Sequence, residues 1–416
     1  MEKAILVAIN VDNQPYFEEM IEECKSLCDA AGFRVVRVLS QSSKRLDPNT
    51  GIRKGKIDEV KSALEYHHSE LVIFYNNLTP SMVANLQDRL EVDVMDRTSL
   101  ILNIFAKRAR SKEAQIQTEM AALKYEQRKT IRESGDQDKQ RGGAVNNRGS
   151  GENKGEIVKR QIESRLSDLR RQLKELEARK DKEYESRNRS GIKKVALVGY
   201  TNAGKSSLMN YLLRTNSKED KSVYEEDQLF ATLDTSARNI RYKNYEFILF
   251  DTVGFVSDLP HSLIDAFKST LKAATNADLL LHVVDSSNPN HELHRIVTSE
   301  TLKEIGADSI PMIEVNNKAD LLEEDVEKQG LYVSAWTGEG IEGLLDKIVE
   351  MLYPKNEEVT VLIPYARLGI LNEYSTLIDY ELIENNEVGS LYRISSGIDT
   401  IKEITNKLKY DYFIQK

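Results

Sequence analysis

One segment constrains the fold of this 416-residue chain more than any other: Gly199 to Ser206, which reads GYTNAGKS. It matches G-x-x-x-x-G-K-[ST], a pattern that cradles phosphate groups when it lies between a strand and a helix. Both neighbours are predicted here, since VALVG precedes the segment and SSLMNYLLR follows it. The chain is therefore expected to contain an α/β unit in which a strand leads into a phosphate-binding loop.

The residue types in this loop each have a predicted role. Gly199 and Gly204 let the backbone turn so that N–H groups face phosphate oxygens, and the helix N-terminus attracts the same anion. Lys205 is predicted to reach the β- and γ-phosphates, and Ser206 to bind Mg²⁺. The other candidate contacts are Tyr200, Thr201, Asn202, Ala203 and Ser207. Asn202 is also a candidate ligand for K⁺, a hypothesis that equal turnover in K⁺ and Na⁺ would contradict.

A second motif predicts which base is bound. NKAD, from Asn317 to Asp320, follows the predicted strand IEVN. The Asp320 carboxylate can accept the N1 and N2 hydrogens of guanine, a donor pair that adenine lacks. Asn317 would hold the loop, and the stem of Lys318 would cover the base. Ser334 and Ala335 end a later predicted strand, where a backbone N–H can donate to guanine O6. The predicted ligands are GTP and GDP.

Two further segments are predicted to sense the γ-phosphate. DTVG, from Asp251 to Gly254, ends the strand FILFD. Asp251 is expected to hold Mg²⁺ through water and the Gly254 N–H to meet the γ-phosphate, with Thr252 and Val253 beside them. Thr232 in FATLDT, with Phe230 and Ala231, is the candidate threonine that closes onto Mg²⁺ in the triphosphate state. Its alternative is an ordinary strand-edge residue. The predicted catalytic groups are thus Lys205, Thr232 and Gly254.

The residue after Gly254 is unusual. Phe255 occupies the position where Ras-type GTPases have a Gln that orients the attacking water. A phenyl ring has no hydrogen-bonding group for this task. We therefore predict slow basal hydrolysis that rises when a partner completes the site.

The rest of the chain predicts a mixed α/β protein in four parts. In residues 1–97, apolar strands alternate with helices, which is typical of a parallel sheet covered on both faces. Residues 191–354 repeat strand, loop and helix, the last strand being GLYVSA. Residues 355–416 are predicted to form a small α+β domain in the order β-α-β-β-α-β, ending with the strand YDYFIQK.

Residues 98–190 are predicted to form an antiparallel helical arm. One helix is expected from Thr98 to Glu133 and a second from Glu156 to Arg187, joined by a mobile tip loop at about 134–155. The second helix has a seam of apolar residues spaced four and three apart, and the first helix matches it. The seam residues are Ile162, Leu166, Leu169, Leu173 and Leu176, opposite Ile116, Met120 and Leu123.

Charge is distributed unevenly between this arm and the remainder. The net charge is −9, yet Lys107 to Lys194 carry 25 basic and 15 acidic residues. The remaining chain carries 33 basic and 52 acidic residues. Such an asymmetry is expected of a segment that contacts a nucleic-acid backbone, although a solvated helical surface is the alternative.

The sequence also excludes some classes of protein. No apolar run reaches the roughly 18–20 residues that span a bilayer. The N-terminus lacks the features of a signal peptide. We therefore expect a cytoplasmic monomer, with peripheral membrane association left open. Cys24 and Cys28, the only cysteines, lie four apart in a predicted helix without further metal ligands and are expected to be buried apolar residues.

Taken together, these motifs resemble the HflX family of ribosome-associated GTPases over almost the whole chain. The likeness rests on VALVGYTNAGKSSLMN, DTVGFVSDLPHSLIDAFKSTL and VDVMDRTSLILNIFAKRARSKEAQIQTEMAALKY. The resemblance implies binding to the large ribosomal subunit in the GTP state, splitting of stalled ribosomes under stress, and hydrolysis stimulated by the ribosome. It also implies that the N-terminal domain and arm face ribosomal RNA near the peptidyl-transferase centre.

The sequence departs from the family pattern in the arm. The usual G-P-G-E-T-x-L-E-x-D-R-R stretch reads GSGENKGEIVKR here, from Gly149 to Arg160. An alternative is therefore a divergent member: a GTP-gated ribosome-protection factor that confers resistance to antibiotics of the peptidyl-transferase region. In that case hydrolysis would serve only for release.

Overall fold

A computed structural model of the chain describes residues 1–140, 154–188, 192–216, 236–243, 245–257, 271, 273–323, 329–353, 357–375 and 377–408. Within these ranges the strands form three sheets, of four, five and three strands in chain order. The first sheet is parallel, the second is parallel except for one antiparallel edge strand, and the third is antiparallel. The predicted mixed α/β class is confirmed.

The N-terminal sheet is parallel and has the order β2-β1-β3-β4. Its strands are β1 Glu2–Val11, β2 Phe33–Ser43, β3 Leu71–Phe74 and β4 Asp93–Met95, connected by α1 Phe17–Ala30, α2 Lys54–His67 and α3 Pro80–Leu90. Side chains of β1 alternate between two apolar clusters, as the period of two requires: Leu6 packs in one and Val7 in the other. The sheet is thus covered on both faces. Cys24 and Cys28 lie buried on α1 without a disulfide, as predicted.

The arm follows this sheet but is not built as predicted. Instead of one helix from Thr98, the structure has α4 Arg97–Arg108 and α5 Lys112–Gln140. The break occurs because the Ser111 hydroxyl accepts the Ala114 N–H (3.1 Å) and caps a new helix. Helix α5 also continues past the predicted start of the tip loop at residue 134, although residues 134–140, SGDQDKQ, include a glycine and two aspartates that are poor helix formers. The second arm helix, α6, is Lys154–Asn188, and the remaining loop residues, 141–153, lie outside the described residues.

Helices α5 and α6 pack through the predicted seam. Ile116 and Met120 are buried against Leu166 and its neighbours, and the other predicted seam residues pack against them. Arg165 adds a two-pronged contact to Glu119, with N–O distances of 2.7 and 3.1 Å. The seam prediction is therefore confirmed.

The middle sheet has the order β6-β7-β5-β8-β9 and positions the candidate site. Its elements are β5 Lys193–Val198, α7 Lys205–Asn216, β6 Ser236–Tyr242, β7 Tyr245–Asp251, β8 Leu279–Asp285, α8 His291–Glu304, β9 Met312–Asn317 and α9 Ile341–Leu352. Strand β6 is antiparallel to β7 and was not predicted. The predicted strand GLYVSA forms only one bridge, between Asn316 and Tyr332, because β9 ends at Asn317 and turns into a short 3-10 helix.

The C-terminal sheet is antiparallel, with the order β10-β12-β11. Its elements are β10 Glu357–Pro364, α10 Gly369–Glu373, β11 Asp379–Asn385, β12 Gly389–Ser396 and α11 Ile398–Leu408. A 3-10 turn, Tyr365–Arg367, precedes the first helix. The final predicted strand falls in residues 409–416, outside the described residues. None of the described helices is both long and apolar enough to cross a membrane.

Candidate nucleotide-binding site

The predicted phosphate loop lies at the centre of the middle sheet. It connects the end of β5 with the start of α7, and β5 lies between β7 and β8. Gly199 has φ 145°, and a Cβ there would lie 2.2 Å from the Val283 carbonyl oxygen. Gly204 has φ 87°, and its Cβ would lie 2.2 Å from the Asn317 amide nitrogen. Both positions therefore require glycine, as the motif predicts.

Lys205 lies buried within the turn of this loop. Its Nζ donates to the carbonyl oxygens of Gly199 (3.0 Å) and Tyr200 (2.7 Å). Burial lowers the pKa of Lys205 to about 8, while the Asp251 carboxylate opposes that shift. The loop therefore concentrates a cation where its backbone N–H groups would meet an anion.

The two predicted Mg²⁺ ligands in the described residues lie in contact. Ser206, at the start of α7, donates its hydroxyl hydrogen to Asp251 Oδ2 (2.7 Å) at the end of β7. Thr252 fixes the next turn by donating to the Leu197 carbonyl (2.6 Å). A hydroxyl and a carboxylate are hard oxygen donors, and Mg²⁺ is usually bound by one or two protein groups plus phosphates and water. The donor set fits that ion.

Gly254 and Phe255 lie against the phosphate loop. The Phe255 N–H donates to Gly199 O (3.1 Å), and the Thr201 N–H donates to Phe255 O (2.7 Å). A Cβ on Gly254 would lie 2.8 Å from Thr201 Cα and 2.9 Å from Lys205 Nζ. Only glycine fits here, and the approach brings Gly254 next to the lysine that is predicted to bind the γ-phosphate.

The Phe255 side chain points away from this site into an apolar cluster. It is 2% exposed and packs with Phe250, Leu271 and other buried residues. Sequence reasoning excluded a water-orienting role for Phe255 but did not predict that it is a core residue. The pattern DTVGFV did not indicate that the Phe255 side chain would be buried on one face of the sheet.

This burial gives a first prediction. Phe255→Gln places an amide in the core, so we expect it to reduce the free energy of unfolding by about 2–5 kcal/mol without raising basal GTP turnover. Urea unfolding and steady-state phosphate release measure the two quantities. Phe255→Leu, which keeps the site apolar, is the control and should lose less stability. A stable Phe255→Gln protein with faster turnover would contradict the prediction.

The predicted guanine loop is assembled from two segments. Asn317 Nδ2 donates to the Ala203 carbonyl of the phosphate loop (2.9 Å), and Asn317 Oδ1 accepts the Ala335 N–H (3.1 Å). Ser334 donates its hydroxyl hydrogen to Asp320 Oδ1 (2.5 Å). The structure thus brings the base and phosphate motifs together through Asn317. The Ala335 N–H, one of the backbone groups at Ser334 and Ala335 from which a donor to guanine O6 is predicted, thus donates to Asn317 Oδ1.

Lys318 is held by a partner that sequence reasoning missed. Its Nζ lies 2.8 Å from Asp285 Oδ2, at the end of β8. Its backbone is left-handed, with φ 62°. Asp285 is the last residue of the apolar strand LLLHVVD. An acidic residue at the end of such a strand is the sequence signal that could have identified it as the partner of Lys318.

The only tryptophan of the chain also lies at this loop. Trp336 follows Ala335 and is 87% exposed. Its backbone N–H donates to the Ser334 hydroxyl (3.2 Å), the group that contacts Asp320. Tryptophan fluorescence of this protein therefore originates beside the predicted base-recognition group.

The remaining predicted residues are distributed as follows. Asn202 is exposed in the phosphate loop with φ 62°. Val253 is buried but belongs to the apolar cluster of the N-terminal region. Ser207 lies in the first turn of α7. Thr232, Phe230 and Ala231 lie outside the described residues.

Comparison with known proteins gives the family. Three family profiles match consecutive regions: "GTP-binding GTPase N-terminal" at 18–106, "GTP-binding GTPase Middle Region" at 108–187 and "50S ribosome-binding GTPase" at 194–318. GTPase HflX of Caldanaerobacter subterraneus subsp. tengcongensis is 40% identical over 414 residues, or 98% of this chain and 92% of that protein. The chain belongs to the HflX family of GTPases. GTPase HflX of Escherichia coli K12 is 35% identical and covers 87% of this chain and 86% of its own.

A solved structure is also similar. The SsGBP and GDP complex is 27% identical, covers 84% of this chain and 98% of its own, and has a TM-score of 0.47. Family membership, independently of that structure, confirms the predicted HflX resemblance and identifies this chain as a GTPase that binds guanine nucleotides.

Proposed function

We propose that this HflX-family GTPase binds the large ribosomal subunit and its ribosomal RNA, splits or rescues stalled ribosomes under stress, and hydrolyses GTP faster on the ribosome. The observation that carries the proposal is the arm. Helices α5 and α6 form a long hairpin within the segment that has the basic excess, while the rest of the chain is acidic. A basic projection on an acidic protein suits an RNA-backbone contact. The profile matched at 194–318, described as a 50S ribosome-binding GTPase, supports the same partner.

For the nucleotide site we propose the roles that the geometry supports. Lys205 binds the β- and γ-phosphates, Gly254 donates its N–H to the γ-phosphate, and Asp320 selects guanine. Ser206 and Asp251 would hold Mg²⁺, which neutralises phosphate charge when bound. Thr232 is proposed from the sequence alone as the third Mg²⁺ ligand.

Phe255 supports ribosome-stimulated hydrolysis. Phenylalanine has no hydrogen-bonding group, and the Phe255 side chain is buried in the core. It therefore cannot orient a water molecule beside Gly254. A group supplied by the ribosome would complete the site. The relatives reported above do not indicate antibiotic resistance, so we do not propose that alternative.

Sedimentation tests the ribosomal role. Ribosomes are centrifuged with the full-length protein and GTP, GDP or a non-hydrolysable GTP analogue, and subunits are separated from intact ribosomes. We expect the protein to migrate with the large subunit only in the triphosphate state, and to generate free subunits. A variant with residues 141–153 replaced by a Gly-Ser linker should bind GTP normally but lose splitting. Equal sedimentation with GTP and GDP, or splitting without the loop, would contradict the proposal.

The lowered pKa of Lys205 gives a second prediction. Nucleotide phosphates favour the charged amine, so the pKa of Lys205 should rise from about 8 when GDP binds. Lys205 is therefore expected to take up a fraction of a proton on GDP binding at a pH of about 8 to 9, and to contribute almost no uptake about two units lower. Calorimetric titration in buffers of different ionisation enthalpy measures this uptake. Lys205→Met should abolish it, and an identical uptake in that variant would assign it elsewhere.

A further inference from the structure

Four polar residues form a closed ring between the N-terminal region and the nucleotide site. Arg97, Tyr200 and Ser257 are buried, and Glu23 is half-buried. Tyr200 Oη donates to Glu23 Oε2 (2.6 Å), and Arg97 Nη2 donates to Glu23 Oε1 (2.8 Å). The same Arg97 nitrogen donates to the Ser257 carbonyl oxygen (3.0 Å). The Ser257 N–H donates back to Tyr200 Oη (2.9 Å) and closes the ring. We call Glu23, Arg97, Tyr200 and Ser257 the polar ring.

The polar ring connects distant parts of the chain. Glu23 lies on α1, and Arg97 begins α4. Tyr200 is the second residue of the phosphate loop, and Ser257 lies three residues after Gly254. Two charged residues of the N-terminal region therefore hold both segments that border the predicted phosphate-binding position.

The ring is costly to bury, which argues against a purely stabilising role. Arg97 is 1% exposed, and its Nε and Nη1 have no hydrogen-bond partner among the described residues. Removing such a pair from water costs energy that its mutual attraction often fails to recover. Buried polar atoms without a hydrogen-bond partner are rare in folded proteins, and a functional site is one setting that retains them. Burial and the Glu23 carboxylate raise the pKa of Tyr200 well above 10, so its hydroxyl remains a donor.

The ring sits beside contacts that leave little freedom for Gly254. Phe255 pairs by backbone hydrogen bonds with Gly199 and Thr201. Val253 and Val256, on either side of this pair, are buried in the apolar cluster of the N-terminal region. Tyr200 is also held through its ring, which stacks on His294 with ring centres 3.9 Å apart. The segment after Asp251 therefore contacts both the N-terminal region and the phosphate loop of its own domain.

We propose that Glu23 and Arg97 are positioning residues of the GTP site, which act through Tyr200 and Ser257 to hold the Gly254 N–H at the γ-phosphate. This inference rests on the proposed role of Gly254. Because GDP has no γ-phosphate, loosening the ring affects triphosphate binding and hydrolysis and leaves the affinity for GDP largely unchanged.

Two variants with a matched control test the inference in the full-length protein. Tyr200→Phe removes the hydroxyl of the ring and keeps the stack on His294. Tyr75→Phe makes the same chemical change at a buried tyrosine nearby, whose hydroxyl donates to Met20 Sδ (2.9 Å). The Tyr75 ring lies 5.3 Å from the Arg97 guanidinium, and phenylalanine keeps that aromatic face. The double variant Glu23→Gln/Arg97→Met removes both charges together, so that neither is left buried without its partner.

The readout is the ratio of two dissociation constants, for a non-hydrolysable GTP analogue and for GDP, together with kcat for GTP. We expect both ring variants to raise the constant for the analogue about tenfold, and to lower kcat, with GDP affinity changed less than about twofold. Tyr75→Phe should leave the ratio and kcat unchanged, while thermal unfolding reports any loss of stability common to Tyr75→Phe and Tyr200→Phe.

Other outcomes would overturn the inference. These are an unchanged ratio in the ring variants, tighter binding of the GTP analogue, or the same change in Tyr75→Phe. A merely structural role would weaken GDP and the analogue together. The site assignment is tested separately: if the unaltered protein binds GDP but Asp320→Asn does not impair that binding, the proposed guanine site fails whatever the ring variants show.

Discussion

Replacement of Asp320 by asparagine is expected to change the base that the protein prefers from guanine to xanthine. The Asp320 carboxylate is oriented by the Ser334 hydroxyl at 2.5 Å, and its loop is tied to the phosphate loop through Asn317. A carboxylate accepts both hydrogens from guanine N1 and N2. The asparagine amide oxygen can accept the N1 hydrogen, but its NH₂ group then faces the N2 amino group of guanine, which is also a donor. Xanthine has an oxygen in place of that amino group and can accept the amide hydrogen.

The expected loss of GDP affinity is on the order of 10³-fold, because a site that hydrogen-bonds the N–H groups of its ligand discriminates strongly against a mismatched partner. Xanthosine diphosphate should bind the variant in its place. Quenching of Trp336 fluorescence on titration with each nucleotide measures both constants. Asp346→Asn, a change at an exposed carboxylate that pairs with Lys243, is the control and should keep its preference for guanine. Unaltered GDP affinity in Asp320→Asn would remove Asp320 from the site.

Lys205→Met is expected to abolish most GTP hydrolysis without unfolding the protein. The lysine ammonium lies within the phosphate loop, buried and bonded to two backbone carbonyls. Loss of a positive charge aimed at transferring phosphates costs about 10²–10³-fold in rate. Methionine has a similar length and fits an apolar setting.

The stability result separates this effect from misfolding. Burial lowers the pKa of Lys205 below its unfolded value, so the charged amine destabilises the folded state at pH values below about 8. That destabilisation diminishes as the pH rises from about 8 towards the unfolded pKa. Lys205→Met removes the charge, and its free energy of unfolding at neutral pH should not decrease. Phosphate release measures the GTP turnover of Lys205→Met, and urea unfolding measures its free energy of unfolding. Lower stability together with retained turnover would contradict the assignment.

The sequence predicted much of the sheet architecture because the signals were local. Strands such as VALVG are continuous apolar runs, and the phosphate loop has glycines that its backbone conformation requires. The arm seam was predictable for the same reason, since residues four and three apart on one helix must share a face. These features depend only on neighbours along the chain.

The start of α5 is also a local feature, since the Ser111 hydroxyl caps it by accepting the Ala114 N–H, but propensity alone favoured a single helix through this point. Other features depend on contacts far apart in sequence. Strand β6 forms because it pairs with β7. The segment GLYVSA does not form a strand, because the neighbouring strand β9 ends after a single bridge to it. In the site, the contact between Tyr200 and Glu23 joins residues 177 positions apart, which no spacing rule indicates.

One apolar cluster crosses all three regions that the family profiles treat as separate. It contains Phe105 of the first region, Ala121 of the arm, and Val253 and Val256 of the GTPase region. A fragment cut at the profile boundaries would leave these side chains facing water. Over evolutionary time, the GTPase region could not be exchanged for that of another protein without matching replacements on α1, α4 and α5. The three modules are therefore expected to be inherited as a single block.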